Sequence, residues 1–375
     1  MSVLHKRFRR FLLGTLDGRN GNLWWLTGHV RDCYKAAIHE NVFANAPDFN
    51  GASGEDPNEP EFRLDSLTRQ WVAITAQRQT RPNRPSAEEC PFCVGGQEAG
   101  EPYEVKALPN RWPALVPGDR LALDETLGRI DTSVPARGAA EVILYSPVHD
   151  ATLATLDRAQ VRHVIDLWAE RTAVLLERPE VEYVLVFENN GAEVGATIPH
   201  PHGQIYAFPF VPPVPAREQE VAAEYGCQVC EELLDRPDLR RRTVDANDSF
   251  VAFTRRAGAW PFELLIAPRE HVPSIQQLGG AQRDDFAGIL GRVLSRYRHL
   301  FAEPLPYMMW IHPGVHLHVH VVTTRRNATA VRYVAAGELG SGVMFNPVNP
   351  EEAARLLRRV NSDVSDPGAV PDRHG

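Results

Sequence analysis

The sequence predicts an α+β protein made of two tandem, internally related units, each with an antiparallel sheet and one long helix. Three observations carry this. A set of chemically matched blocks occurs twice in the same order. Two segments show the apolar spacing of a single buried helical face, and short apolar runs bounded by turn residues surround them as strands. At about 150 residues per domain, 375 residues suit one large unit or two packed domains, with a core that needs no disulfide staples.

The first set of blocks begins with Cys90-Pro-Phe-Cys93 and the strand EVILYSPVH ending at His149. A helix follows, then the strand YVLVFENNG, then His200-Pro-His202-Gly-Gln204-Ile-Tyr206. The second set begins with Cys227-Gln-Val-Cys230 and ELLIAPREH ending at His271, followed by a helix, YMMWIHPG, and His316-Leu-His318-Val-His320. The step from cysteine pair to lone histidine is 59 residues in the first copy and 44 in the second; from lone histidine to histidine cluster it is 51 and 45. In the first helix Val161, Val164, Ile165, Trp168 and Leu175 align behind a cap at Asp157; in the second, Phe286, Ile289, Leu290, Val293, Leu294 and Tyr297 align. Pro209, Pro212, Pro213 and Pro215 read as a stiff loop joining the copies. The chain therefore divides into an N-terminal extension and linker (1–60), a first unit (61–215), a second unit (216–360) and a flexible tail (361–375).

Composition narrows the function classes. With 43% hydrophobic and 23% charged residues and no apolar stretch near the ~20 residues of a membrane span, the chain reads as an ordinary soluble protein. A net charge of −8 argues against a nucleic-acid backbone binder but leaves room for a local basic pocket. The apolar run Phe11-Leu12-Leu13 stops at Gly14, too short for a secretory signal, so a cytoplasmic location is expected. Four of the five cysteines form two C-x-x-C pairs with Cys33 left over, which points to metal or redox chemistry in a reducing compartment.

Cys90, Cys93, His149 and His200 supply the two thiolates and two imidazoles of a closed tetrahedral zinc site. Cys227, Cys230, His271 and His316 repeat the pattern and predict a second zinc. In His200-Pro-His202-Gly-Gln204, residues i and i+2 of a strand would share a face, but Pro201 and Gly203 allow the two imidazoles to be aimed apart. One histidine can then be structural and the other reactive. A neutral imidazole held by a carbonyl at one nitrogen is oriented to attack phosphorus through the other.

The motif H-x-H-x-[H/Q] followed by apolar residues resembles the histidine-triad superfamily, so the two units are expected to be histidine-triad-like. The tandem arrangement with HPHGQ resembles the galactose-1-phosphate uridylyltransferase family over residues 62–359, with FENNGAEVGATIPHPHGQIYA its most specific stretch. The resemblance implies His202 as nucleophile toward UDP-glucose, a UMP-carrying intermediate, and galactose 1-phosphate as acceptor in galactose metabolism. Gln204 stands where hydrolytic relatives have a third histidine, and its amide can donate to a phosphoryl oxygen without shuttling protons. The family's nucleotide and phosphate contacts fall on Arg78, Arg81, Asn110, Asn189, Gly195 and Thr197, and its hexose-contacting acid on Glu338. Some relatives hold a second metal, zinc or iron, at positions matching Glu218, His312, His318 and His320; the Cys227 set is the favoured second site here. Relatives are homodimers, so a dimer is implied. The competing readings are a nucleotide-sugar or dinucleotide phosphorylase with inorganic phosphate as acceptor, disfavoured by Gly203, and a non-catalytic zinc-stabilised binding module.

Overall fold

Apolar runs that alternate faces every second residue pair into sheets, and here the runs of both copies enter the same one. The structure is a computed structural model describing residues 59–80, 86–119, 132–234 and 237–360. Arg81, the tail 361–375 and all but the last two residues of the 1–60 extension, Cys33 included, lie outside the described residues. The larger sheet contains β3 (Lys106–Pro109), β5 (Ala139–Leu144), β6 (Tyr183–Asn190), β7 (His202–Phe208), β8 (Thr243–Ala246), β9 (Phe250–Thr254), β10 (Leu264–Pro268), β11 (Tyr307–His312) and β12 (His318–Val322). Its order is β3-β5-β7-β6-β11-β12-β10-β9-β8, with every pair antiparallel. A three-stranded sheet of β1 (Glu61–Leu64), β2 (Trp71–Ile74) and β4 (Ser133–Pro135) was not anticipated from sequence.

The duplication is visible as topology: β5-β7-β6 on one side of the β6–β11 pair corresponds to β10-β12-β11 on the other. Register makes the correspondence residue by residue. Phe187 opposes Gln204 as Trp310 opposes His320, and Ile143 opposes Gly203 as Ile266 opposes Val319. His202 thus matches His318, Gln204 matches His320, Asn189 matches His312, Gly203 matches Val319 and Glu188 matches Ile311.

The two expected helices are α1 (Arg158–Leu176) and, further along, α5 (Gly280–Arg298). The Asp157 carboxylate accepts from the Gln160 N–H at 2.8 Å and caps α1. All the apolar residues predicted for the two buried stripes are buried, in one core formed with the inner faces of β6, β7, β11 and β12. Truncating Trp168, fully buried in that core, would cost about 3–5 kcal/mol. Because helices cover this face, side chains of opposite parity, including His202, Gln204 and Tyr206, are placed on the other. Among the described residues no helix is long and apolar enough to cross a membrane.

Two local expectations are corrected. The strands before His149 and His271 stop at Leu144 and Pro268, so both histidines sit in the loops beyond. The proline segment is a loop only as far as Pro212: Pro213 and Pro215 lie inside α2 (Pro213–Tyr225), since proline in a first helical turn forfeits no hydrogen bond. Shorter helices α3 (Gln228–Glu232), α4 (Pro237–Arg242), α6 (Ala336–Ser341) and α7 (Pro350–Arg359) complete the α-helices of the described residues.

Candidate active site and metal centres

The loop carrying Cys90 and Cys93, the loop after β5 and the approach to β7 bring four ligand atoms within 4.8 Å of one another: those of Cys90, Cys93, His149 and His200. Cys93 Sγ lies 3.3 Å from His149 Nδ1 and 3.6 Å from His200 Nδ1. His200 Nε2 faces the Ser146 carbonyl at 2.8 Å and the Tyr103 hydroxyl at 2.8 Å, which assigns its proton to Nε2 and its lone pair to Nδ1, toward the cysteines. Burial pushes His200 down to about 4, keeping it neutral as a ligand must be. Burial, with Cys90 alongside, pushes the Cys93 thiol up to about 11. A thiol so raised ionises readily only beside a cation, and two thiols with two imidazoles are a donor set that suits a metal ion.

The second copy repeats this arrangement with Cys227, Cys230, His271 and His316. Cys230 Sγ is 3.2 Å from His271 Nδ1 and 3.3 Å from His316 Nδ1, and His316 Nε2 faces the Pro268 carbonyl at 3.0 Å. Glu218, on α2, joins His312, His318 and His320 in a third cluster. Burial raises the Glu218 carboxyl, but contacts to His312 and His318 outweigh it and hold the group well below its ordinary range. His320, stacked on Trp310 at 4.7 Å, is pushed by burial down to about 3. Cys227 and His316 of the second cluster and Glu218, His318 and His320 of the third line a cavity of about 390 Å³.

His202 is the first residue of β7, and its Nδ1 lies 2.7 Å from the His200 carbonyl. That bond places the proton on Nδ1 and the lone pair on Nε2. The two histidines diverge, as Pro201 and Gly203 permit: His200 toward the cysteines, His202 into a cavity of about 420 Å³ shared with Asn189 and Ile198. On the other side His202 borders a small cavity with Gln204, Asn110 and Trp112. Asn110 Nδ2 donates to Gln204 Oε1 at 3.2 Å, and Asn110 Oδ1 accepts from the Trp112 N–H at 2.9 Å. The backbone thus fixes the Asn110 amide, which fixes the Gln204 amide with its NH₂ on the far side.

Both halves of the chain match a single family. The profile described as galactose-1-phosphate uridyl transferase, N-terminal domain, matches residues 53–212, and the corresponding C-terminal domain matches residues 222–367. The chain belongs to the galactose-1-phosphate uridylyltransferase family. A galactose-1-phosphate uridylyltransferase from Thermotoga maritima is 33% identical over 319 residues, spanning 81% of this chain and 99% of the relative. The ADP-glucose phosphorylase of Arabidopsis thaliana is 26% identical over 354 residues, or 85% of this chain and 98% of that protein. A solved uridylyltransferase structure superposes with a TM-score of 0.70 at 28% identity, covering 80% of this chain and 97% of its own.

Within this member of the galactose-1-phosphate uridylyltransferase family the predicted contact residues divide. Asn189, Asn110 and Gln204 surround His202. Arg78 donates to the Tyr206 hydroxyl at 2.9 Å, two residues along the strand from Gln204. Gly195, with φ +89°, and Thr197 belong to the loop that supplies Ala196 and Ile198 to the larger cavity's wall, but neither lines it. Glu338 is buried and engaged elsewhere: it pairs with Arg332 and accepts from the Ala335 N–H at 3.0 Å and the Phe345 N–H at 2.9 Å. None of its partners lines the His202 cavities. Sequence reasoning missed Tyr103 and Tyr206; period-two spacing from His202 would have flagged Tyr206, whereas nothing local marks Tyr103.

Proposed function

We propose that the protein transfers UMP from UDP-glucose to galactose 1-phosphate by a ping-pong mechanism through a uridylyl-His202 intermediate. The observation that carries this reading is the His202 Nδ1 to His200 carbonyl bond of 2.7 Å, which leaves Nε2 as the attacking nitrogen of a histidine that lines one cavity with Asn189. Nε2 attacks the α-phosphorus as the bond to the β-phosphate oxygen breaks, and glucose 1-phosphate leaves with that electron pair. The carbonyl holding Nδ1–H stabilises the positive charge that develops on the ring. The Gln204 NH₂, oriented through Asn110, donates to a phosphoryl oxygen; the amide cannot take a proton from water, so the intermediate persists until a sugar phosphate attacks and the P–N bond breaks. Asn189 serves the nucleotide, as do Arg78, Arg81, Gly195 and Thr197.

Zinc held by Cys90, Cys93, His149 and His200 would fix the loop and the carbonyl that orient His202. The favoured second site, Cys227, Cys230, His271 and His316, takes zinc; Glu218, His312, His318 and His320 form the alternative, for zinc or iron. Both metal roles are structural. The working form is a cytoplasmic homodimer that acts on small molecules and binds neither nucleic acid nor membrane, and the two units divide at 215/216.

The deciding experiment is intact-protein mass spectrometry after UDP-glucose. A UMP adduct absent from His202→Ala and discharged by galactose 1-phosphate to UDP-galactose is expected. Discharge by inorganic phosphate would instead assign a phosphorylase, and no adduct on zinc-replete protein would remove the covalent mechanism.

A further inference from the structure

Directly beneath the reacting strand, on the helix-covered face, lies a polar group that the proposed mechanism does not use. Glu188, on β6 between Phe187 and Asn189, is 2% exposed. Its Oε1 accepts from the Tyr307 hydroxyl at 2.9 Å and from Asn190 Nδ2 at 3.4 Å, while Oε2 is buried without a partner. A second buried oxygen nearby, the hydroxyl of fully buried Tyr145, also lacks one. Tyr145 is fixed by its backbone N–H, which donates to the Pro201 carbonyl at 3.0 Å, and by its ring edge against Trp168 at 5.7 Å. Its hydroxyl occupies the space where a Cβ on Gly203 would stand, at 1.9 Å from that position. Tyr145 therefore supports the backbone between His202 and Gln204 from below.

The second copy supplies the contrast. At the place of Glu188 it has Ile311, and at the place of Gly203 it has Val319, both buried and apolar. The fold is thus satisfied by hydrocarbon at these two points, and the one buried hydroxyl named under the second strand, that of Tyr297, is bonded to the Phe262 and Val321 carbonyls. The Trp168 indole N–H stands beside the Tyr145 hydroxyl as a donor, but nothing else serves Glu188 Oε2, and a buried oxygen left so costs free energy unless the Tyr145 hydroxyl serves it.

We infer that Glu188 is a positioning residue: a neutral carboxylic acid whose proton serves the Tyr145 hydroxyl, directly or through one enclosed water, holding the His202–Gln204 segment at its working height. This rests on the reading of His202 as the nucleophile. Burial pushes the Glu188 carboxyl up to about 8, the Tyr307 and Asn190 hydrogen bonds opposing the rise. The polar groups facing it are Tyr307 on β11, Asn190 on β6 and Tyr145 beyond β5, none of them charged at neutral pH.

The test compares Glu188→Gln, Glu188→Leu and Tyr145→Phe, each zinc-loaded. Infrared difference spectra of the wild type against Glu188→Gln should show the C=O stretch of a protonated carboxyl at pH 7, fading through pH 8 to 9. Steady-state kinetics should show kcat lowered roughly ten- to hundredfold in Glu188→Leu and Tyr145→Phe with KM for UDP-glucose little changed. Glu188→Gln, which keeps a donor and an acceptor, should retain kcat and lose the wild-type decline above about pH 8. If Glu188→Leu does not fold, Tyr145→Phe, which loses only a hydroxyl, carries the kinetic arm. Absence of the carboxyl band at pH 7, or full kcat in Tyr145→Phe, would overturn the proposal. A wild type that forms no UMP adduct would instead remove the His202 reading, and the infrared arm would still judge the neutral acid.

Discussion

The two copies share a backbone and a way of orienting histidine, and differ in what faces it. His202 Nδ1 meets the His200 carbonyl at 2.7 Å and His318 Nδ1 meets the His316 carbonyl at 2.8 Å. In both, the earlier histidine turns Nδ1 to a cysteine pair and Nε2 to a main-chain carbonyl. Beyond that the copies part. His202 lines the cavities that Asn189 and Gln204 line; Nε2 of His318 meets the Glu218 carboxylate at 3.6 Å, with His312 and His320 standing where Asn189 and Gln204 would. The H-x-H strand is a device for presenting an imidazole, and neighbouring side chains decide what it faces: amides in the first copy, a carboxylate and two further imidazoles in the second.

The sharpest way to break this comparison is to remove each presented histidine. His202→Ala should lower UMP transfer by about 10³-fold or more, with adduct formation lost. His318→Ala should keep the adduct, stay within about tenfold in rate, and leave the zinc of the two cysteine sets unchanged by elemental analysis. Equal loss from both would mean that the copies share the chemistry.

A second test separates the cysteine pairs. Cys90→Ser and Cys227→Ser should each cost one equivalent of metal and lower Tm, but only Cys90→Ser should also depress adduct formation, since only a metal in the first set would steady the carbonyl under His202. A smaller effect sharpens the role of amide orientation. Asn110→Ala frees the Gln204 amide, and a kcat loss of about five- to thirtyfold is expected, corresponding to one hydrogen bond; a loss confined to KM would make Asn110 purely a nucleotide contact.

The smallest effect is on stability. The folded-state pKa of Glu188 is raised from 4.5 to about 8, so the native state holds a proton that the unfolded chain releases in that window. Stability should therefore fall as pH rises from 4.5 through about 8 and then level off. Glu188→Gln should abolish this slope, matching wild-type Tm near pH 5 and exceeding it at pH 9. An unchanged slope would mean that Glu188 ionises freely.

Much of this was legible because it is periodic. The two buried stripes, the Asp157 cap and the repeated order of cysteine and histidine blocks follow from spacing, and each stripe residue named from sequence is buried. The ligand clusters were legible because cysteine and histidine are scarce and recur in register. What sequence could not show is what a strand's far neighbour supplies. Tyr103 reaches His200 across 97 positions and Arg78 reaches Tyr206 across 128, and such pairings leave no local trace. Pro213 and Pro215 misled because proline both stiffens loops and opens helices. Glu338 matched a sugar-contacting position by motif alone, and its carboxylate is taken by Arg332 and two backbone N–H groups.

The antiparallel pairing of β6 with β11 has a further consequence. Had the copies remained separate modules, each would show an open strand edge there, a template for unwanted pairing with other chains. Instead each copy plugs the other's edge, and the Tyr307 hydroxyl crosses the seam to Glu188. A chain cut within residues 213–225 would therefore not release two working modules. It would release two fragments with complementary sticky edges, soluble and active only when each finds the other.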